Sequence, residues 1–308
     1  MMHPDYPFHA GELEAQRLAG QAPGGHGVRE AMPDQHRLFF GTLPYAALAG
    51  VGLTGQPVAT VVSGPPGFIS APNPLTLSIA TSLEPHDPVA SALAPGAPYA
   101  LLGMDFATRR RNRANGRVAA VTPAGYWLVV DQSFGNCPQY IQQREVHPTP
   151  RAPGPLQPLA AVDAEAMRQV RAADTFFVAT AAMGPNGGAD VSHRGGRPGF
   201  VKVEGDRLTF PDYRGNRYFN TLGNMLAYPR ASVLFLDFET GDLLHLQGRA
   251  AIAWTADEAS TGFAGAQRMW TLEVEGGWRR KAAVPLSWTL IAPSPVNAAT
   301  GVWPVPAA

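Results

Sequence analysis

Residues 66–68 read Pro-Gly-Phe, and the same triplet returns at 198–200, 132 positions later. The offset recurs along the chain. Asp105-Phe106 meets Asp237-Phe238, Asn115-Gly116-Arg117 meets Gln247-Gly248-Arg249, Gly64 meets Gly196 and Leu102 meets Leu234. Biased composition scatters Gly and Ala coincidences, but it does not place Pro-Gly-Phe, Asp-Phe and Gly-Arg in one register. A period this long is a repeated small domain rather than a solenoid unit. The chain is therefore expected to hold two related halves near 30–145 and 160–300, with no gap needed between 47–119 and 179–251. His147–Pro158 carries five prolines and reads as a semi-extended linker. The expected division is 1–146, linker 147–158 and 159–308.

Within the second half, DAEAMRQVRAA (163–173) predicts a helix with Asp163 as its cap. TFFVATAA (175–182) predicts a buried strand, and Gly184–Gly188 a hairpin turn to a strand over Asp190–His193. Phe200–Glu204 and Arg207–Phe210 flank Gly205-Asp206, another hairpin signal. Asn216–Tyr228 predicts a helix stopped by Pro229. Ala231–Phe238 and Leu243–Trp254 predict a further hairpin, Thr255–Gly265 a short helix and Trp288–Ala292 a last strand. The first half repeats the order, with strands at Leu43–Ala49, Val58–Val62, Phe68–Ala71, Leu75–Ala80, Tyr99–Phe106 and Arg113–Val121, and a weak helix at His86–Ala94. Many short strands with an inserted helix suggest a small β-barrel in each half.

Composition excludes several classes. Lys+Arg and Asp+Glu number 24 each, so the chain lacks the basic excess that broad binding to a nucleic-acid backbone needs. A single cysteine, Cys137, allows no internal disulfide and no cysteine-based zinc site, and no metal is expected. The N-terminus has no basic region followed by an apolar run, and no apolar stretch is long enough to span a bilayer. A cytoplasmic protein without membrane contact is the expectation.

Residues 190–201, DVSHRGGRPGFV, begin as a strand but carry two arginines and three glycines that a strand does not need. Ser192, His193, Arg194 and Arg197 around Gly195-Gly196 form one basic cluster. Asp212-Tyr213-Arg214-Gly215-Asn216-Arg217 forms another at the start of the helix predicted from 216. Free N–H groups at a helix N-terminus favour an anion, and arginine forks match phosphate geometry. Neither cluster contains a Gly-Lys-Ser/Thr phosphate loop. At the equivalents of Arg194, Arg214 and Arg217 the first half has Val62, Ser82 and Pro85. It carries instead Arg109–Arg113, where the second half has Leu243-Leu244-His245-Leu246 near the equivalent places. The halves are complementary, as when a duplicated homodimer keeps one of its two sites. The alternatives are surface ion pairs for Arg194 and Arg197, helix-surface charges for Arg214 and Arg217, and a solvated strand face for Arg109–Arg113. His193 reads as a structural histidine, and Cys137 as a small buried turn residue.

With these residues in view, the chain resembles the pyridoxamine 5′-phosphate oxidase-related, FMN-binding split-barrel proteins. The resemblance spans nearly the whole chain. It is strongest over DVSHRGGRPGFV, FPDYRGNRYFNTLGNMLAYPRASVLF (210–235) and SFGNCPQYI (133–141). It implies a mostly β fold with short helices (α+β): two tandem split β-barrels forming a pseudo-dimer within one chain. It further implies non-covalent FMN at their junction. Ser192, Arg194, Gly195, Gly196, Arg214, Asn216 and Arg217 would cradle the phosphate, and Arg111 and Arg113 would reach in from the other half. Arg111 stands where the family pattern usually has Gln. The C-terminus lacks the family's Arg-Leu substrate segment, so pyridoxamine phosphate is not the expected substrate. The implied activity is an FMN-dependent oxidoreductase acting on a small molecule, as a monomer with a pseudo-dimer or as a homodimer. The alternative is a carrier or sensor binding flavin, haem or deazaflavin without turnover.

Overall fold

A computed structural model describes residues 7–21, 27–254 and 263–304. The first half opens with α1 (Ala10–Leu18) and α2 (Asp34–Thr42), then β1 (Tyr45–Val51), β2 (Pro57–Ser63), β3 (Ile69–Asn73), β4 (Thr76–Ile79), α3 (Pro88–Ala92), β5 (Pro98–Asp105), β6 (Arg110–Thr122) and β7 (Gly125–Gly135). Two connecting strands follow, β8 (Gln143–Pro148) and β9 (Gln157–Leu159). The second half has α4 (Ala164–Ala172), β10 (Thr175–Ala182), β11 (Gly188–Gly195), β12 (Lys202–Glu204), β13 (Arg207–Tyr213), α5 (Asn220–Ala227), β14 (Arg230–Leu236), β15 (Leu243–Ala253), β16 (Ala266–Arg280) and β17 (Leu286–Ala292).

The antiparallel sheets run β2-β1-β5-β6-β7-β4-β3 and β11-β10-β14-β15-β16-β13-β12. These are the same order, strand for strand, and neither path closes on itself: each half is a split β-barrel. The register repeats too. Leu102 pairs Arg113 as Leu234 pairs His245, and the bulge between Asn115 and Gly116 returns between Gln247 and Gly248. The 132-residue offset therefore holds for β2, β5 and β6. It fails at β1, because Ala47 pairs Val61 and Leu102 while Phe177 pairs His193 and Leu234. Ala47 and Phe177 are the true equivalents, 130 apart, as are α2 and α4. The second-half hairpin holds two extra residues, so the ungapped match expected from the sequence needs this correction.

Both faces of the central strands are buried. One face of β1, β2 and β5 lines the first barrel's interior with Ala46, Leu48, Val58, Val62, Leu101 and Tyr99. The other face, with Tyr45, Ala47, Ala59, Val61, Leu102 and Met104, meets Phe177, Ala179, Val191, Leu234 and Leu236 of the second half. This double burial explains the continuous apolar runs, which a one-sided sheet would break by alternation. The β8–β17 pair flanks the junction and sets Trp288 edge-on to Tyr45, with ring centroids 5.1 Å apart.

Several boundaries differ from expectation. Asp163 caps α4 as expected, accepting from Ala166 N at 2.8 Å. The helix expected from Asn216 begins at Asn220, because Arg217 and Phe219 are left-handed and break the helical path before it. The helix expected over Thr255–Gly265 lies outside the described residues except for 263–265, which are turn and bend. The expected linker begins inside β8, and residues 149–156 have neither helix nor strand. Among the described residues, no helix is long and apolar enough to cross a membrane.

Candidate functional site

The helix entry is the core of the site. Gly215 and Asn216 lead into Arg217 at φ 64° and Phe219 at φ 60°, both left-handed and both bulky. Such residues cost energy in that region and cluster where a loop is held for function. Phe219 occupies the N-cap of α5, and no side chain caps the helix. The first backbone N–H groups of α5 therefore have no intrahelical acceptor, and the helix dipole adds partial positive charge there. Asn216 Oδ1 accepts from Tyr218 N at 3.1 Å, fixing the loop, while its Nδ2 donates to Asn136 Oδ1 of the first half at 3.0 Å.

Around this helix end lies a cleft that opens to solvent. β11 supplies Ser192 and Arg194, β6 supplies Arg111 and Arg113, and the segment after β7 supplies Asn136 and Cys137. Asp212, Arg217 and Arg268 complete the charged lining. Five arginines thus face two lining or adjoining carboxylates. Arg113 spends its charge on Asp190, Nη1 to Oδ1 at 2.9 Å, with both side chains buried. Asp212 is shared between Arg268 at 2.9 Å and Arg194 at 3.8 Å. Arg217 is exposed and makes no side-chain bond among the described residues. Burial first, then Arg113 and Arg194, lowers the pKa of Arg111. An anion in the cleft would relieve that repulsion.

The sequence-predicted residues divide by role. Arg111, Arg113, Ser192, Arg194, Asn216 and Arg217 all line the one cleft. The Ser192 hydroxyl is fully engaged: it receives Arg113 Nη2 at 2.6 Å and Thr221 Oγ1 at 2.9 Å, and donates to Asp190 at 2.9 Å. It orients Arg113 rather than facing the cleft with a free proton. Gly195 lines an adjoining recess, where a Cβ would sit 2.0 Å from Tyr140 O. Gly196 is outside both cavities, and a Cβ there would meet the Phe200 ring at 2.4 Å. Its first-half equivalent, Gly64, meets Phe68 in the same way at 2.7 Å. The two glycines therefore answer to packing. Arg214 is exposed and borders the recess. Arg197 is not in the cleft; its Nη1 reaches Thr300 O at 3.4 Å.

That recess, about 430 Å³, opens beside the cleft and shares Arg111, Cys137, Arg194 and Tyr213 with it. Tyr140 and Tyr213 stack there with centroids 5.0 Å apart. His193 is 2 % exposed, and burial together with four nearby arginines holds it neutral. Its Nδ1 takes a proton bond from Arg111 Nη1 at 2.9 Å, which puts the ring proton on Nε2. Sequence reasoning missed Arg268 and Asn136, and placed Asp212 in the second cluster without a role. Arg268 gave no local signal, since β16 reads as an interrupted strand. Asn136 sits within SFGNCPQYI, the run that carried the resemblance.

The equivalent place in the first half is sealed. Asp87, 132 positions before Phe219, caps α3 by accepting from Val89 N at 2.9 Å, and its other oxygen accepts from Thr60 at 2.8 Å. His245, the counterpart of Arg113, is fully buried, stacks on Trp278 at 5.1 Å, and is driven down to a pKa of about 3 by burial.

Residues 162–285, within the second half of the chain, match the family model described as pyridoxamine 5′-phosphate oxidase. No curated protein matches the chain. Among solved structures it is similar to a tagged HupZ of Group A Streptococcus, at 12% identity, covering 43% of this chain and 98% of that one with a TM-score of 0.29. It is also similar to a FAD-binding protein from Mesorhizobium loti, at 15% identity, 41% and 97% coverage and a TM-score of 0.29. A third is a Clostridium acetobutylicum protein related to general stress protein 26 of Bacillus subtilis, of the pyridoxinephosphate oxidase family. Its values are 13% identity, 41% and 92% coverage and a TM-score of 0.29.

Proposed function

We propose that this chain binds FMN in the cleft at the α5 N-terminus and acts as a flavin-dependent oxidoreductase on a small molecule other than pyridoxamine phosphate. The observation that carries the reading is the uncapped end of α5 set among Arg194, Arg217 and Arg268. A dianionic phosphate fits this donor set: it would accept from the free N–H groups and from guanidinium forks. The buried Nε atoms of Arg111 and Arg194 have no partner, and neither does Asn136 Nδ2. Unspent donors of this kind are what an oxygen-rich ligand satisfies.

The adjoining recess, with Tyr140, Tyr213 and Phe200, is the compartment for the flavin ring. Bound flavin supplies hydride chemistry. The protein's own residues bind and orient it. Arg113 is locked by Asp190, Ser192 and Asn220, and Arg111 is locked by His193 and Cys137 O. Two arginines held this way keep fixed positive charge against the ring side of the site, which favours a reduced, anionic flavin. The two barrels of one chain supply both walls, so a monomer suffices for the site.

The test is the visible absorption spectrum of the purified protein, taken before and after FMN addition and desalting. Retained flavin absorbance supports the reading, and a reduced nicotinamide nucleotide that bleaches it with air reoxidation supports turnover. A colourless protein that does not retain FMN overturns it. Flavin held without any reduction favours the carrier.

A further inference from the structure

A second cleft, of about 910 Å³, adjoins the arginine cleft and has the opposite chemistry. Asp190 and Asn220 line it, and Arg113, bonded to both, lines the arginine cleft. These three side chains are the partition. The remaining walls come from α1, from the Gly184–Gly188 turn, and from β6 and β7 of the first half.

The lining accepts rather than donates. At the base are Asp190, a buried carboxylate paired with Arg113, and Glu12, a buried carboxyl that burial holds protonated at neutral pH, and Asp131 stands exposed at the mouth. Asp131 makes no hydrogen bond or ion pair among the described residues. Asn115 is 9% exposed, and its buried Oδ1 has no donor. The other polar donors are already spent. His9 Nε2 is bonded to Asn224 Oδ1 at 2.7 Å, Gln132 Nε2 donates to Pro7 O at 2.9 Å, and Asn220 Nδ2 donates to Glu12. The one cation in the described lining, Arg117, is exposed and its Nη1 turns to Gly96 O at 3.4 Å. An unpartnered buried acceptor costs energy until a donor reaches it. A ligand fitting this cleft brings N–H donors and positive charge.

We propose that this cleft is a second ligand site, independent of the flavin site, for a small molecule carrying protonated amines. Ammonium groups would donate to Asn115 Oδ1 at the base and pair with Asp131 at the mouth. The proposal stands on the lining of this cleft alone, whatever occupies its neighbour.

The experiment is calorimetric titration of the full chain with 1,4-diaminobutane, and with 1,4-butanediol as its uncharged counterpart. Saturable diamine binding at least about tenfold tighter than diol binding is expected, since charge-assisted bonds are the stronger ones. Asp131→Asn should weaken the diamine about tenfold and leave the diol unchanged, and Asn115→Leu should weaken both. Arg217→Ala should lose FMN while binding diamine as the wild type does, which separates this site from the flavin reading. No saturable diamine binding, equal affinity for diol, or undiminished binding in Asp131→Asn would overturn the proposal. Because Asp131 is exposed, its substitution leaves the fold intact.

Discussion

Two helix ends occupy equivalent places in the two barrels, and they differ by one side chain. At the start of α3, Asp87 accepts from Val89 N and from Thr60, so the free end of the helix is satisfied by the protein itself. At the start of α5 the equivalent residue is Phe219, left-handed and unable to cap, and the arginines gather around it. The same helix dipole is quenched in one half and left available in the other. The partner strand follows suit. Arg113 reaches across to Asp190 and to Asn220 at the open end, while His245, its counterpart, is neutral and packed on Trp278. A duplicated chain can specialise because a site at the junction needs its cap absent in one half and its reaching arginines present in the other. Each half is then free to lose what the other supplies.

The most severe challenge to this comparison is to remove the arginines. Arg194→Ala with Arg217→Ala should weaken FMN by about 100-fold or more, at one to two orders of magnitude per charged contact. Thermal melting should stay near wild type, because both side chains are partly or fully exposed. Fluorescence titration and circular dichroism check the two halves of that statement.

A next effect concerns α1, which packs on α5 and has no counterpart in the repeat. Burial raises the Glu12 carboxyl from its ordinary 4.5 to about 8. The folded state then holds a proton that the unfolded chain has released, so stability falls as pH rises from about 4.5 to 8. Glu12→Gln should flatten that fall by on the order of 2 kcal/mol. Urea denaturation at pH 5 and pH 8 reads it. A parallel slope in both proteins would show that Glu12 titrates normally.

Transplanting the cap makes the second half resemble the first. Phe219→Asp places a carboxylate at the open helix end and tolerates the left-handed backbone better than phenylalanine does. FMN should bind about tenfold or more weakly, by competition and repulsion. The reverse change gives the smallest effect. Asp87→Ala should cost about 1 kcal/mol in denaturant unfolding and leave FMN affinity unaltered. If Asp87→Ala weakened FMN as strongly as Phe219→Asp, the asymmetry between the halves would be wrong.

Much of this was legible in the sequence because it is local or periodic. The Pro-Gly-Phe repeat marks a real equivalence: Gly64 N bonds Pro44 O as Gly196 N bonds Asp174 O, both at 3.0 Å. TFFVATAA is the strand β10, end to end. Arg111, Arg113, Ser192, Arg194, Asn216 and Arg217 line one cleft, while Gly195 and Arg214 line the recess beside it. What stayed hidden depends on burial that the pattern does not announce. Helix α1 turns Glu12 and Gln16 inward, so its buried face is polar and its periodicity disappears. On β7 the outward residues Trp127 and Val129 are apolar, which erases the alternation. The fifteen residues of β16 are broken by Gly276-Gly277, and Arg268 near its start was lost with the strand. The two-residue shift at β1 was invisible because Gly52 and Gly55 match Gly184 and Gly187, and Ala47 and Ala49 match Ala179 and Ala181, at the 132 offset.

The open end of α5 is assigned to the phosphate of a flavin, and riboflavin lacks that phosphate. Titrating wild type and the Arg194→Ala, Arg217→Ala variant with both FMN and riboflavin isolates the phosphate contribution in one cycle. Wild type is predicted to bind FMN at least about 100-fold more tightly than riboflavin, and the gap should nearly vanish in the variant. Equal binding of the two flavins by wild type, or a gap that survives in the variant, would contradict the assignment.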